Sequence, residues 1–187
     1  RKSVGGYRLE ESGTYRFAFV QEPMIFTSYE SADGKPARAY GEFVQAAALP
    51  KGSKNIKYVK VNSRIETYVS RNKPDEKALQ PSGNGLELSM HPHPNDLVTG
   101  EEAKIQLLLN GKPMSAGIEL GLTRDGTSHR NDRDAKKLIT DDKGTVTLKW
   151  SDPGFYLLEL EHVVPGKSLT DPEEHFALFV TLAVNPS

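Results

Sequence analysis

The 187-residue chain has no cysteine, which excludes disulfides, thiolate metal sites and cysteine nucleophiles together. That suits a reducing cytosol and a bacterial periplasm equally. No apolar run approaches the roughly 20 residues that cross a bilayer as a helix. No block of like charge occurs either: 24 Lys and Arg stand against 25 Asp and Glu, a formal net charge of −1. The basic footprint of a nucleic-acid surface is therefore missing, and no nucleic-acid partner is expected. Nowhere does the chain read Gly-x-Ser-x-Gly, His-Glu-x-x-His or Gly-x-x-x-x-Gly-Lys-Ser/Thr, so it lacks the signatures of serine hydrolases, zinc metalloproteases and phosphate-cradling loops. A glycosidase needs two positioned carboxylates, and 25 acidic residues offer such pairs by chance. The expectation is a protein without catalytic activity. The apolar fraction is only 36%, yet 7 Phe and 7 Tyr among scattered Val, Leu and Ile suffice for thin sheet-on-sheet cores. The first residue is Arg1 rather than Met, and removal of a signal peptide is expected.

What the chain does contain is a repeated strand opening, Gly-x-Tyr followed by alternating apolar residues. It occurs as Gly13-Thr14-Tyr15-Arg16-Phe17-Ala18-Phe19 and as Gly154-Phe155-Tyr156-Leu157-Leu158-Glu159-Leu160. The glycine permits a tight turn, and the tyrosine shares a pleat face with the next alternate residues. Thr145–Trp150 and the second copy, joined by a short loop, read as a hairpin. Lys57–Val61 and Arg64–Arg71 read as two further strands, and Ala37–Leu49 as a helix, with Tyr40, Phe43, Val44 and Ala47 at helical spacing before Pro50. From Leu86 to Val184 about six strands alternate with turns, the strongest turn being Asn110-Gly111. The expected fold is mainly β in two β-rich modules: residues 1–72 with one short helix near 37–49, a Pro- and Gly-rich linker over 73–85, and an immunoglobulin-like (transthyretin-like) sandwich over 86–187.

The order Leu86-Glu87-Leu88, His93-Pro94-Asn95-Asp96-Leu97, Gly100-Glu101, Leu109-Asn110-Gly111-Lys112-Pro113, Thr140-Asp141-Asp142-Lys143-Gly144 and Pro153-Gly154-x-Tyr156 resembles a bacterial periplasmic family of unknown function. Its members are described as substrate-specific or periplasmic components of nickel and cobalt uptake. The resemblance implies a periplasmic location, a transition-metal ion and a membrane transporter component as partner. The same phrase is similar to carboxypeptidase-regulatory-like and adhesin B-type domains, which share the sandwich and serve many roles.

All five histidines lie at residue 91 or beyond. On an extended chain His91 and His93 present both imidazoles to one face, where with Asp96 they could hold nickel, cobalt or zinc; equally, His91-Pro92-His93-Pro94 reads as an exposed, polyproline-like linker. His129, Asp132 and Asp134 fall in a polar loop without the glycine and glutamate of an EF-hand, which also reads as a solvated hairpin loop. His162 and the run Glu173-Glu174-His175 would meet if their strands paired antiparallel. Trp150 and Tyr156 could form a sugar platform, although Trp150 ends an apolar alternation and reads as core. The expected function is a non-catalytic periplasmic accessory or ligand-binding protein associated with nickel or cobalt uptake. The alternative is a carbohydrate- or protein-binding, adhesion-like module without metal. A hydrolase completed by residues upstream of Arg1 is a third reading.

Overall fold

A computed structural model describes residues 5–129 and 131–187. In chain order the strands are β1 (Gly13–Val20), β2 (Met24–Glu30), β3 (Pro36–Tyr40), β4 (Lys54–Arg71), β5 (Leu86–His91), β6 (Glu102–Leu109), β7 (Lys112–Pro113), β8 (Glu119–Arg124), β9 (Lys136–Ile139), β10 (Thr145–Lys149), β11 (Gly154–Val164) and β12 (Glu173–Val184). They form an eight-stranded sheet in the order β3-β2-β4-β12-β11-β8-β9, with β1 also on β4, and a four-stranded sheet in the order β10-β6-β5, with β7 on β6. The protein is mainly β, and the two sheets stack as a sandwich.

The 18-residue β4 organises the large sheet. Its first half pairs with β2, from Glu30↔Lys54 to Met24↔Val61, and its second half with β1, from Val20↔Arg64 to Gly13↔Arg71. Its other edge takes β12 in parallel, from Glu173↔Val59 to Thr181↔Thr67. The two strands expected at 57–61 and 64–71 are thus one: Asn62-Ser63, polar enough to read as a turn, is held extended by the β12 ladder at Phe176 and Ala177 and by the Gln21 N–H, which donates to the Ser63 carbonyl at 3.1 Å. Through β4 and β12, residues 1–72 and 86–187 contribute to a single sheet.

Two local expectations are corrected. Ala37–Tyr40 is strand, paired with β2 at Tyr29↔Ala37 and Phe26↔Tyr40, and of the expected helix there is only a 3-10 turn at Ala46–Ala48. The helical spacing of the aromatics serves sheet packing: the Tyr40 ring lies 5.5 Å from Phe26 and that of Phe43 5.9 Å from Tyr58. The buried Thr27 hydroxyl accepts from the Val44 N–H at 2.7 Å, which ties this loop down without a helix. Second, β10 and β11 are not a hairpin. β10 pairs with β6 in the small sheet, whereas β11 lies between β12 and β8 in the large one, so the residues between them cross the sandwich.

The core lies between the sheets, with Leu88, Ile105 and Leu107 on one side and Leu120, Leu158, Leu178 and Val180 on the other. Each such burial contributes about 1.5–3 kcal/mol. Trp150 and Tyr156 are packed there edge to face at 5.0 Å. Both Gly-x-Tyr copies build one device. Gly13 and Gly154 have φ of 142° and 134°, and the tyrosine hydroxyl two residues on donates to the carbonyl four residues before it, Tyr15 to Glu11 at 3.0 Å and Tyr156 to Asp152 at 2.8 Å. This is the tyrosine corner of immunoglobulin-like sandwiches.

Candidate functional site

The His-Pro-His-Pro segment ends β5 and leads into a 3-10 turn at Pro94–Asp96. His91 and Asp96 are exposed, whereas His93 is partly buried and bonded through both ring nitrogens. Its Nδ1 accepts from the Asn95 N–H at 3.0 Å, which places the ring proton on Nε2. Nε2 donates to the Asp75 carbonyl at 3.1 Å and stands 3.0 Å from Thr14 Oγ1. Thr14 in turn accepts from the Asp75 N–H at 3.1 Å and meets Ser70 Oγ at 3.0 Å. His93 therefore clips the start of β1, the end of β4 and the 73–85 segment together. A metal at this imidazole would have to displace one of those bonds.

The other histidines are dispersed. His129 ends an exposed 3-10 turn, and Asp132 Oδ1 accepts from the Asp134 N–H at 3.0 Å, a bond that closes the loop on itself. β11 and β12 do pair antiparallel, but His162 opposes Phe176 and His175 opposes Val163, so the two imidazoles lie on opposite faces. His175 bonds Glu173 at 2.8 Å, and Lys57 bonds it at 3.1 Å; these two donors, His175 first, hold Glu173 below the ordinary glutamate value. Among the described residues no three His, Asp or Glu side chains converge as a metal would require. Trp150, 2% exposed, offers no surface to a sugar.

A charged cluster that no sequence pattern announced pins the sheets where β1 and β4 face β5. Glu87, 1% exposed, accepts from the Ser82 N–H and hydroxyl at 2.8 and 2.9 Å and from the Gly83 N–H at 2.8 Å. Arg64 and Arg16 lie 3.4 and 3.8 Å from it. Arg64 also grips the buried Glu66, whose second oxygen accepts from Tyr68 at 2.8 Å. Burial pushes Glu87 up, but the donors of Ser82 and Gly83 and the Arg64 charge outweigh it and hold the carboxyl below its ordinary value. Burial, then the Glu66 charge, pushes the Tyr68 hydroxyl up. Glu87 thus stays ionised and Tyr68 neutral, which suits a fixed pin and not a proton-transfer pair near neutrality.

The surface with the least cover is the outer face of the large sheet. The ladders line up rows across it: Phe19-Ile65-Phe179-Glu159, then Phe17-Thr67-Thr181-Leu157-Thr123. Phe19 is 66%, Phe155 57% and Ile65 49% exposed. Glu159 carries the only charge in these rows and pairs with Arg133 at 3.1 Å. Two shallow hollows of about 340 and 410 Å³ meet at Thr181, one beside Phe17 and Phe19, the other beside Phe155 and Leu157. A third hollow, of about 160 Å³, opens between the sheets beside Val20, Leu86 and Phe176. The sequence signal for the face is Phe17-Ala18-Phe19-Val20: four apolar residues in a row exceed what a strand with one buried side needs.

No helix among the described residues is long and apolar enough to cross a membrane. No curated protein and no solved structure matches the chain. The profile of one family matches residues 2–164, from before β1 to the end of β11. Most of the sandwich and the whole segment from Phe17 to His93 lie inside that match, and the chain belongs to the family Domain of unknown function (DUF4198).

Proposed function

We propose that the chain is a non-catalytic accessory module that binds another protein through the outer face of its large sheet. The observation that carries this reading is the apolar surface of exposed Phe17, Phe19, Ile65 and Phe155 with half-buried Leu157 and Phe179 between them, contiguous across β1, β4, β12 and β11, with the exposed Tyr7 ring edge to face on Phe17 at 5.6 Å. Apolar patches of this kind on a folded domain mark interaction sites. Its chemistry favours a protein over a sugar: the exposed rings are Phe17, Phe19 and Phe155 with Tyr7 beside Phe17, among aliphatic side chains, and the single indole of the chain, Trp150, is buried elsewhere. The resemblance of the sequence supports, as that partner, a component of a periplasmic nickel or cobalt uptake system.

Photo-crosslinking amino acids at positions 19, 65 and 155 test the reading in cells, with position 112 on the small sheet as reference. The expected result is one shared protein adduct from the three outer-face positions, absent from position 112 and lost when Ile65→Asp is combined with the crosslinker at position 155. Adducts from none of the three, or equally from position 112, would remove the outer face as the docking surface.

A further inference from the structure

We infer that the free edge of β1 pairs with the β1 edge of a second copy of this chain, so that two large sheets join into one. β1 hydrogen-bonds to β4 on one side, and among the described residues no strand pairs with its other side. The 3-10 turn at Lys77–Leu79 packs beside the strand, and Gly13 and Thr14 at its beginning are buried. Phe17, Ala18, Phe19 and Val20 are exposed without interruption. A bare edge with its unpaired N–H and C=O groups is a template for another strand unless charge or proline blunts it. Three of the other edges are blunted: β3 begins with Pro36 and carries Arg38, β9 carries Lys136 and Lys137, and β10 carries Lys149; the fourth, β5, has only Ser89 and His91 exposed and offers no exposed apolar side chain to pair with. Phe17–Val20 has neither device, so the edge it fits best is its own.

The register follows from the pairing geometry. In an antiparallel pair opposite residues share a face, so a two-fold axis that keeps both outer faces on one side must centre on a residue. Centring on Phe19 sets Phe19 against Phe19 of the second copy, Ala18 against Val20 and Phe17 against Gln21. It leaves Arg16 and the Lys77–Leu79 turn outside the contact. The N–H of Gln21 bonds the Ser63 carbonyl at 3.1 Å, so the strand direction continues through that residue. Cross-strand aromatic and β-branched contacts of this kind each stabilise a pair by about 0.2–1 kcal/mol. A net charge of −1 opposes association little, and an edge of five residues is small for an interface. The assembly is therefore a weak, reversible C2 dimer whose outer apolar faces run on into each other. It doubles the docking surface proposed above but does not depend on it.

Sedimentation velocity from micromolar to near-millimolar concentration is the test, on the unaltered chain and on Ala18→Lys and Ile65→Asp variants, with circular dichroism to confirm folding. The expected result is a concentration-dependent monomer–dimer equilibrium, weakened at least tenfold by Ala18→Lys, whose ammonium guards the edge, and changed little by Ile65→Asp on the sheet face. A chain that stays monomeric throughout overturns the inference. So does a dimer that survives Ala18→Lys but is lost in Ile65→Asp, which would make the contact face to face. Because this readout is self-association and the partner readout is crosslinking, either proposal can fail without the other.

Discussion

Glu87 shows how one residue can set acid stability. Its carboxylate neutralises Arg64 and Arg16 within the sandwich and takes three donors from Ser82 and Gly83. Since its folded pKa lies below the ordinary 4.5, the stability it supplies is fully present above that value and is lost as pH falls through the lower folded value. Urea denaturation across pH 3 to 7 is expected to show this loss below about 4.5. Glu87→Gln, which leaves two guanidiniums short of a partner, is expected to cost about 3 kcal/mol at pH 7 and to flatten the acid slope. An unchanged slope in the variant would assign the acid sensitivity to other carboxylates, Glu173 first. Nothing in the sequence neighbourhood of Glu87 announces Arg16 or Arg64, which sit 71 and 23 positions away, so a cluster of this kind emerges only on folding. His93 is the converse case: its Pro-flanked spacing to His91 suggested a ligand, and the same imidazole is engaged by Asn95, Asp75 and Thr14.

Among the elements, β4 matters most, because it is laddered on both edges at once. Thr67 lies opposite Phe17 on one side and Thr181 on the other. Proline there removes a ladder hydrogen bond whichever way the N–H points and leaves its carbonyl partner unpaired, and Thr67→Pro is expected to destabilise by about 1–3 kcal/mol, read as a lowered urea midpoint. A cost under about 1 kcal/mol, the scale of a lost exposed contact, would mean that β4 is not paired on both sides. Strands with strict alternation, such as β10 and β11, were readable because one face is buried and the other is not. The partners of those strands were not readable: alternation reports a face and carries no information about which strand lies alongside. That is why β10 and β11, adjacent in sequence, fall in different sheets. The stretch over 37–49 misled for a related reason, since aromatics that pack against Phe26 and Tyr58 across strands can fall at helical intervals along the chain.

At the scale of the molecule, the parallel contact of β4 with β12 puts the first 72 residues and the last strand into one sheet, and His93 with the Glu87 cluster ties them again from the other side. Unfolding is therefore expected as one transition, with the fluorescence of Trp150, deep in the sandwich, coinciding with the far-ultraviolet circular dichroism of all the strands. Separate midpoints for the two signals would show that the segments before and after 73–85 unfold independently. Composition and local pattern were sufficient for the β class, the Gly-x-Tyr strand openings and the turn at Asn110-Gly111, because these depend on backbone preference and on period-two burial within a few residues. The shared sheet, the Arg-Glu pin, the second bond of His93 and the bare outer face with its open β1 edge depend on contacts between residues far apart in the chain. Those contacts were decided by which strands hydrogen-bond to which, and hence by the tertiary structure alone.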